Sequence, residues 1–342
     1  MDIAKYKDLG LTGLANIGNT CYLNSCMQLL SHTYELNEFL QNNKRKLNSK
    51  IESKIYIEWN NLRDMMWSEN CTIAPYGFVK CVQEVAKEKG FEIFTGFAQN
   101  DVFEFLLFVI DSLHESLKRE VDMKINGSIK NSKDILAKKC YEMMKNMYKE
   151  EYSEILNIFY GISVTQIKDY ITDELLSAAP EPFSILSLSI PSNKECSILD
   201  CLDLYTKDES LIEENKWLND ETGEKQDVTK NITFWNLPNV LIIELKRYGY
   251  NNNKIHTIVN TPLRDLDLSK YVSGYDSENC IYDLFGTGNH SGNTYGGHYT
   301  ANIKNANGKW YNFNDTFINE ISEDRIINAN TYSLFYRKKN KE

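Results

Sequence analysis

At Phe159 the hydrophobic pattern of this chain changes period, and that change limits the folds open to it. Before it, Ile51, Ile55, Trp59, Leu62 and Met66 fall on one helical face, and Phe78, Val82 and Val85 on another between Pro75 and Gly90. Residues 100–118 repeat the pattern with Val102, Phe105, Leu106, Val109, Ile110, Leu113 and Leu117. After the polar stretch "KINGSIKNSKD" a further helix is expected from about Asp134 to Asn157. Beyond Phe159 the segments "FYGISVTQIKDYIT", "FSILSLSI", "VLIIELKRYGY", "CIYDLFGTG", "HYTANIK", "KWYNF" and "SLFYRK" are short, aromatic and β-branched, with Pro, Gly and Asn turns between them. Helices first and strands later give an α+β architecture.

The chain has 342 residues, 42% of them hydrophobic, enough for a large core in one or two domains. No run approaches the roughly 18 apolar residues that cross a bilayer, and "MDIAKYKDLGLTG" lacks a basic segment leading into an apolar one. An intracellular protein is therefore expected, and its eight scattered cysteines read as free thiols. A net charge of −10, from 48 acidic and 38 basic residues, disfavours a nucleic-acid surface and suits a partner with exposed basic groups, although solubility explains it equally well.

In "GNTCYLNSCMQLL" two cysteines stand five apart at the start of an amphipathic helix. Cys21 falls in the first turn, where unpaired N–H groups and the helix dipole make a thiol more acidic. Asn19 or Thr20 can cap that helix, and Leu23, Met27 and Leu30 supply its apolar face. Cys26, a turn further in, reads as a small core residue. Asn16, five residues upstream of Cys21, offers a carboxamide N–H₂ that can stabilise an oxyanion, and a simple turn role fits it equally.

A thiol nucleophile needs a base and a group that fixes the base's tautomer. Of five histidines, His32 and His114 lie late in expected helices, and His256 and His290 lie in polar or Gly-rich loops. His298 follows Gly296 and Gly297, which allow a substrate backbone to come close, and it opens the strand "HYTANIK". The turn "NANG" should pair that strand with "KWYNF", returning Asn314 and Asp315 to the His298 end. Either can accept from the imidazole, and both are also ordinary turn residues.

The stretch "GLTGLANIGNTCYLNSCMQLL" closely resembles the cysteine box of the ubiquitin-specific proteases, and "YGGHYTANIKNANGKWYNFND" their histidine box. "GFAQNDVFEFLLFVI", "EPFSILSLSI", "NLPNVLIIELKRY" and "YSLFYRK" resemble further family segments, in the family's order from Leu11 to Arg337. The resemblance implies one papain-like cysteine peptidase domain over residues 1–342, with a helical thumb over about 11–155 and an antiparallel β palm with reduced fingers over about 156–342. It implies Cys21 as nucleophile, His298 as base, Asn314 as third triad member and Asn16 as oxyanion donor, with Asp315 sharing the orienting or oxyanion role. Asp101, Gln99, Tyr22, Gly296, Gly297 and Tyr299 are the residues it implies for binding the ubiquitin tail, with residues 288–297 forming a mobile loop over that tail. For Asp101 a helix N-cap is the ordinary alternative, and both roles are compatible.

In the family many members carry two CxxC pairs that bind zinc in the fingers. The corresponding stretches here, "SVTQIKDYITD" and "NKWLNDETG", hold no cysteine, and Cys196 and Cys201 have the wrong spacing, so no structural zinc and no cofactor are expected. The implied activity is thiol-dependent hydrolysis after the C-terminal glycine of ubiquitin, by a monomer in the cytoplasm or nucleus that acts on ubiquitin and ubiquitinated proteins, with no membrane or nucleic-acid partner. A silent ubiquitin-binding pseudo-protease and a protease for a ubiquitin-like modifier are the rival readings.

Overall fold

The computed structural model describes residues 2–191, 195–220, 222–249, 253–293 and 296–339. Its first half is helical: α1 (Cys21–Ser31), α2 (Tyr34–Asn42), α3 (Ser53–Ser68), α4 (Tyr76–Lys89), α5 (Val102–Leu117), α6 (Ser132–Glu151) and α7 (Glu154–Phe159). The expected stop of α4 is realised by Gly90, which takes the left-handed conformation at φ 78° and returns its N–H to the last carbonyls. The single helix expected over Asp134–Asn157 is two, because Tyr152 and Ser153 are extended. Tyr152 exchanges backbone hydrogen bonds with Arg119 at 2.8 and 2.9 Å, tying the break to the end of α5.

The second half supplies β1 (Gly161–Asp169), β2 (Leu175–Phe183), β3 (Ile185–Ser189), β4 (Val228–Asn236), β5 (Val240–Lys246), β6 (Ile281–Asn293), β7 (Gly296–Lys304), β8 (Trp310–Asn314), β9 (Phe317–Ile321) and β10 (Thr331–Lys338). A large sheet runs β9-β8-β7-β6-β10-β5-β3, antiparallel except for its β5–β3 edge pair. A second sheet runs β2-β1-β4 with Glu209–Leu211 at its edge. Among the described residues one α-helix stands between the strands, α8 (Ile198–Tyr205), opened by a capping box of Ser197 and Asp200.

The large sheet is covered on both faces. Leu23, Met27, Leu29 and Leu30 of α1 join α3–α5 and the side chains of Tyr299, Ala301, Ile303 and Phe313 in one core. On the opposite face Ile198, Cys201 and Leu202 of α8 pack with Leu284, Trp310, Leu334 and Tyr336. Close approach of α1 needs Gly286: a Cβ there would stand 2.6 Å from Leu29. The two halves are also clamped by Arg337 of β10, whose guanidinium bonds Glu35 at 2.6 and 3.2 Å and the His32 carbonyl at 3.1 Å. The same guanidinium lies 4.7 Å over the Tyr34 ring and 4.4 Å over Phe285.

Residues 288–297, expected as a loop, are largely the ends of β6 and β7, paired Ser291↔His298 and Gly292↔Gly297. Thr294 and Tyr295, also within that stretch, lie outside the described residues.

Candidate active site

Cys21 opens α1, after a loop bent by Gly18 (φ 110°) and Asn19 (φ 56°). Thr20 is the N-cap residue, but its hydroxyl accepts from the Ile17 N–H at 3.0 Å and caps nothing. The Thr20 N–H is satisfied by Oδ1 of Asn16, also at 3.0 Å. Asn16 therefore has its carboxamide fixed against the start of the nucleophile's helix.

The thiol departs from the expected acidity. Cys21 is 3% exposed, and burial pushes its pKa up, with the charge of Asp315 adding to the rise. The backbone N–H groups of Tyr299, Tyr22 and Cys21 itself oppose the shift without reversing it. The helix start contributes as expected, and desolvation outweighs it. Cys26 is fully buried in the core, as its sequence position suggests.

His298 lies in β7, and the hairpin to β8 pairs Ala301↔Phe313 and Asn302↔Asn312, bringing Asn314 alongside. Nε2 of His298 donates to Oδ1 of Asn314 at 2.6 Å. An amide oxygen only accepts, so Nε2 carries the hydrogen and Nδ1 keeps a lone pair. Asp315, in the left-handed region at φ 49°, turns the other way. Its carboxylate accepts from Nδ2 of Asn16 at 3.1 Å and from Nδ2 of Asn24 at 2.8 Å. The two neighbours that sequence leaves interchangeable are thus divided, Asn314 against the imidazole and Asp315 against the loop that precedes the nucleophile. Sequence reasoning missed Asn24, whose only signal is a carboxamide one turn after Cys21.

Across the cleft, Gln99 mimics a strand. Its Nε2 donates to the Gly297 carbonyl at 2.8 Å and its Oε1 accepts the Gly297 N–H at 2.7 Å. Gly296 lies beside it: a Cβ there would sit 3.0 Å from Gln99 Oε1. Asp101 caps α5 by accepting from the Phe103 N–H at 2.7 Å, and its other oxygen accepts from the hydroxyls of Tyr332 at 2.9 Å and Tyr299 at 3.5 Å. The N-cap role of Asp101 is realised, and its second oxygen faces the cleft wall. Tyr299 packs against the His290 ring, tilted by 37° with centroids 4.4 Å apart. Tyr22 is not brought to the cleft surface: it is 5% exposed, packed edge-on to Phe105, with its hydroxyl held by Asn100 at 3.1 Å.

His290, read from sequence as a loop residue, is a buried strand residue whose Nδ1 meets the Tyr248 hydroxyl. Burial pulls its pKa down to about 4, with Lys254 contributing. It fills the space beneath Gly297, where a Cβ would stand 2.4 Å from His290 Nε2. Gly297 is therefore fixed by packing as well as by access. The glycines and asparagines around His290 conceal the strand in the sequence.

One cluster of three possible metal ligands occurs among the described residues: His114, Glu115 and Glu151. Lys118 already lies between its carboxylates at 2.6 and 3.1 Å, and Ser153 holds Nδ1 of His114 at 2.7 Å. Cys196 and Cys201 come to 3.5 Å of each other in the core under α8, both thiols pushed up by burial. Among the described residues no helix is long and apolar enough to cross a membrane.

Comparison with known proteins gives a consistent picture. The family described as ubiquitin carboxyl-terminal hydrolase matches residues 12–336. Ubiquitin carboxyl-terminal hydrolase 2 of Gallus gallus is 34% identical, over 96% of this chain and 93% of that protein. The Homo sapiens protein of that name is 32% identical over 96% of this chain and 55% of its own length, so the chain spans about half of that relative. Among solved structures, the SAGA Ubp8/Sgf11/Sus1/Sgf73 DUB module bound to ubiquitin aldehyde matches with a TM-score of 0.74 at 23% identity, covering all of this chain and 72% of that one. At that identity the likeness speaks for the fold, while the match along residues 12–336 speaks for descent. This chain belongs to the ubiquitin carboxyl-terminal hydrolase family.

Proposed function

We propose that this protein is a thiol-dependent deubiquitinase, hydrolysing the isopeptide or peptide bond after the C-terminal glycine of ubiquitin, as one catalytic domain. The observation that carries the reading is the His298–Asn314 hydrogen bond at 2.6 Å, which leaves Nδ1 as a base on the strand whose Tyr299 N–H meets the Cys21 thiol. The names of the relatives, and a solved neighbour bound to ubiquitin aldehyde, support ubiquitin as the substrate.

Because Cys21 is held as a thiol, the reaction starts with His298 Nδ1 taking its proton as Sγ attacks the glycine carbonyl. Of the two N–H bonds of Asn16 Nδ2, one is held by Asp315 and the other donates to the oxyanion. Collapse breaks the C–N bond, and His298 gives its proton to the departing amine, leaving a thioester on Cys21. Water, deprotonated by His298, attacks the thioester and frees the ubiquitin carboxylate and the thiol. Asp101 receives the basic tail, and Gln99, Gly296 and Gly297 line its path, with Tyr299 and Tyr22, both buried, supporting them from beneath. The net charge of −10 suits such a basic tail. The enzyme acts as a monomer in the cytoplasm or nucleus, without cofactor, metal or nucleic acid.

Ubiquitin bearing a C-terminal electrophile tests the reading, applied to wild type and Cys21→Ala with mass mapping of the adduct. An adduct on Cys21, absent from the variant, is expected. No adduct, or one on another cysteine, overturns the assignment, and labelling only by a ubiquitin-like modifier moves the substrate.

A further inference from the structure

Along β7 the side chains alternate. Gly297, Tyr299 and Ala301 face α1 and the cleft that holds Asp101, whereas His298, Thr300 and Asn302 face the other side of the sheet. On that side the His298 ring borders a pocket of about 290 Å³, whose walls include Asn289, Ser291, Thr300, Asn302, Asn312 and Arg325. Its floor is preorganised: Asn312 Nδ2 donates to Asn302 Oδ1 at 2.8 Å, Asn302 Nδ2 to the Ile326 carbonyl at 3.3 Å, and the Thr331 hydroxyl to Asn289 Oδ1 at 3.3 Å. Arg325 is the one permanently charged side chain in the lining, it is exposed, and it forms no ion pair among the described residues. Of its acidic neighbours, Glu323 is paired with Arg264, and Asp324 accepts from the Ser322 hydroxyl while also feeling the Arg325 charge.

We infer that this pocket is the subsite for the acceptor chain, the polypeptide whose lysine amine leaves, and that Arg325 favours acceptors with an acidic residue beside that lysine. The inference rests on the deubiquitinase reading. The amine takes its proton from His298, and this pocket is bordered by the His298 ring, so an acceptor chain departing past the imidazole can enter it. The chemistry on the two sides of β7 is opposite in sign. Asp101 and Glu244, both near the Tyr332 hydroxyl, make the tail side acidic. Arg325 makes the acceptor side basic, and its amide and hydroxyl walls suit the backbone of an extended peptide.

The test uses ubiquitin joined through its C-terminal glycine to the lysine of short peptides that differ only in flanking residues, acidic or basic. Ubiquitin carrying a small fluorogenic amide serves as the substrate without an acceptor chain. Wild type should cleave the acidic peptide with a kcat/KM about 2- to 5-fold above the basic one, the size of an exposed charge pair. Arg325→Gln should erase the preference, Arg325→Glu should invert it, and added salt should shrink it. All three proteins should cleave the fluorogenic substrate alike. Equal ratios in the three proteins, with the fluorogenic substrate cleaved normally, overturn the subsite alone. Failure of wild type on the fluorogenic substrate overturns the subsite together with the function beneath it.

Discussion

Asn314 and Asp315 are adjacent, chemically similar and separately employed, and the division has a measurable sign. The Asp315 charge raises the Cys21 pKa while its carboxylate holds Asn16 and Asn24. Asp315→Asn removes the charge and loosens the carboxamides, so the thiol should become more acidic while turnover falls. The expected loss in kcat is about 10²-fold or more, the usual cost of a misplaced oxyanion donor. The pH dependence of Cys21 alkylation checks the first half: its midpoint should fall in Asp315→Asn, and an unchanged or higher midpoint contradicts the electrostatic account. Asn314→Ala should also lower turnover, through a misoriented imidazole, without that acid shift. The sequence alone could not make the distinction, because a left-handed φ at Asp315 decides where each side chain points. Nor could it weigh the helix start at Cys21 against burial, since burial comes from α1 lying on β6 and β7, whose first residues are Ile281 and Gly296.

At the scale of elements, what carried an uninterrupted period was legible. α3, α4 and α5 stand where their apolar faces placed them, and the β7–β8 hairpin closes at the expected turn. The break between α6 and α7 was hidden because apolar residues such as Ile155 and Ile158 continue past the extended Tyr152 and Ser153. The strand around His290 was hidden for the opposite reason: Gly288 and Gly297 sit there to admit Ser333 and His290, and glycine reads as turn. The start of β7 is held by side chains as well as by its ladder with β6, and two substitutions probe the side-chain holds. Gln99→Ala removes both hydrogen bonds to Gly297 and should raise amide exchange at the start of β7, with the melting midpoint moving by no more than about 3 °C. Unchanged exchange there contradicts the clamp. Gly297→Ala drives a Cβ to within 2.4 Å of both His290 and the Ser291 carbonyl, so the strand must shift under His298. Cleavage of the fluorogenic ubiquitin amide should drop by at least about 10-fold, the scale expected when a catalytic base is displaced; wild-type turnover contradicts it.

For the whole molecule, the cleft is a joint between helices and sheet, and each side of the joint hides a neutral histidine. His32, at the end of α1, is wholly buried against Trp67 and Phe313, donates Nδ1–H to the Gln28 carbonyl at 2.9 Å and leaves Nε2 without a partner. Burial, with the nearby Arg337 charge, lowers its pKa to about 4, and His290 on the palm side reaches about the same value beside Lys254. Both folded-state values lie below the ordinary 6.5, so between pH 6.5 and about 4 the unfolded chain binds protons that the folded chain refuses. Stability must therefore fall as pH drops through that window, by about 2 kcal/mol per histidine at pH 5. Carboxylates held low by ion pairs lose their contribution at lower pH, so the histidines dominate the upper part of the acid limb. Urea unfolding at pH 7.5 and pH 5 should show a lower midpoint at pH 5 with little change in slope. In His32→Phe, which keeps an aromatic ring between Trp67 and Phe313, roughly half of the pH-dependent loss should disappear. Equal midpoints at the two pH values, or an undiminished loss in the variant, would contradict this account. Because His32 supports the nucleophile's helix and His290 lies under the base's strand, acid should loosen both walls of the cleft together. A variant stabilised elsewhere in the core should then recover the folded fraction at pH 5 without any change at His32 or His290.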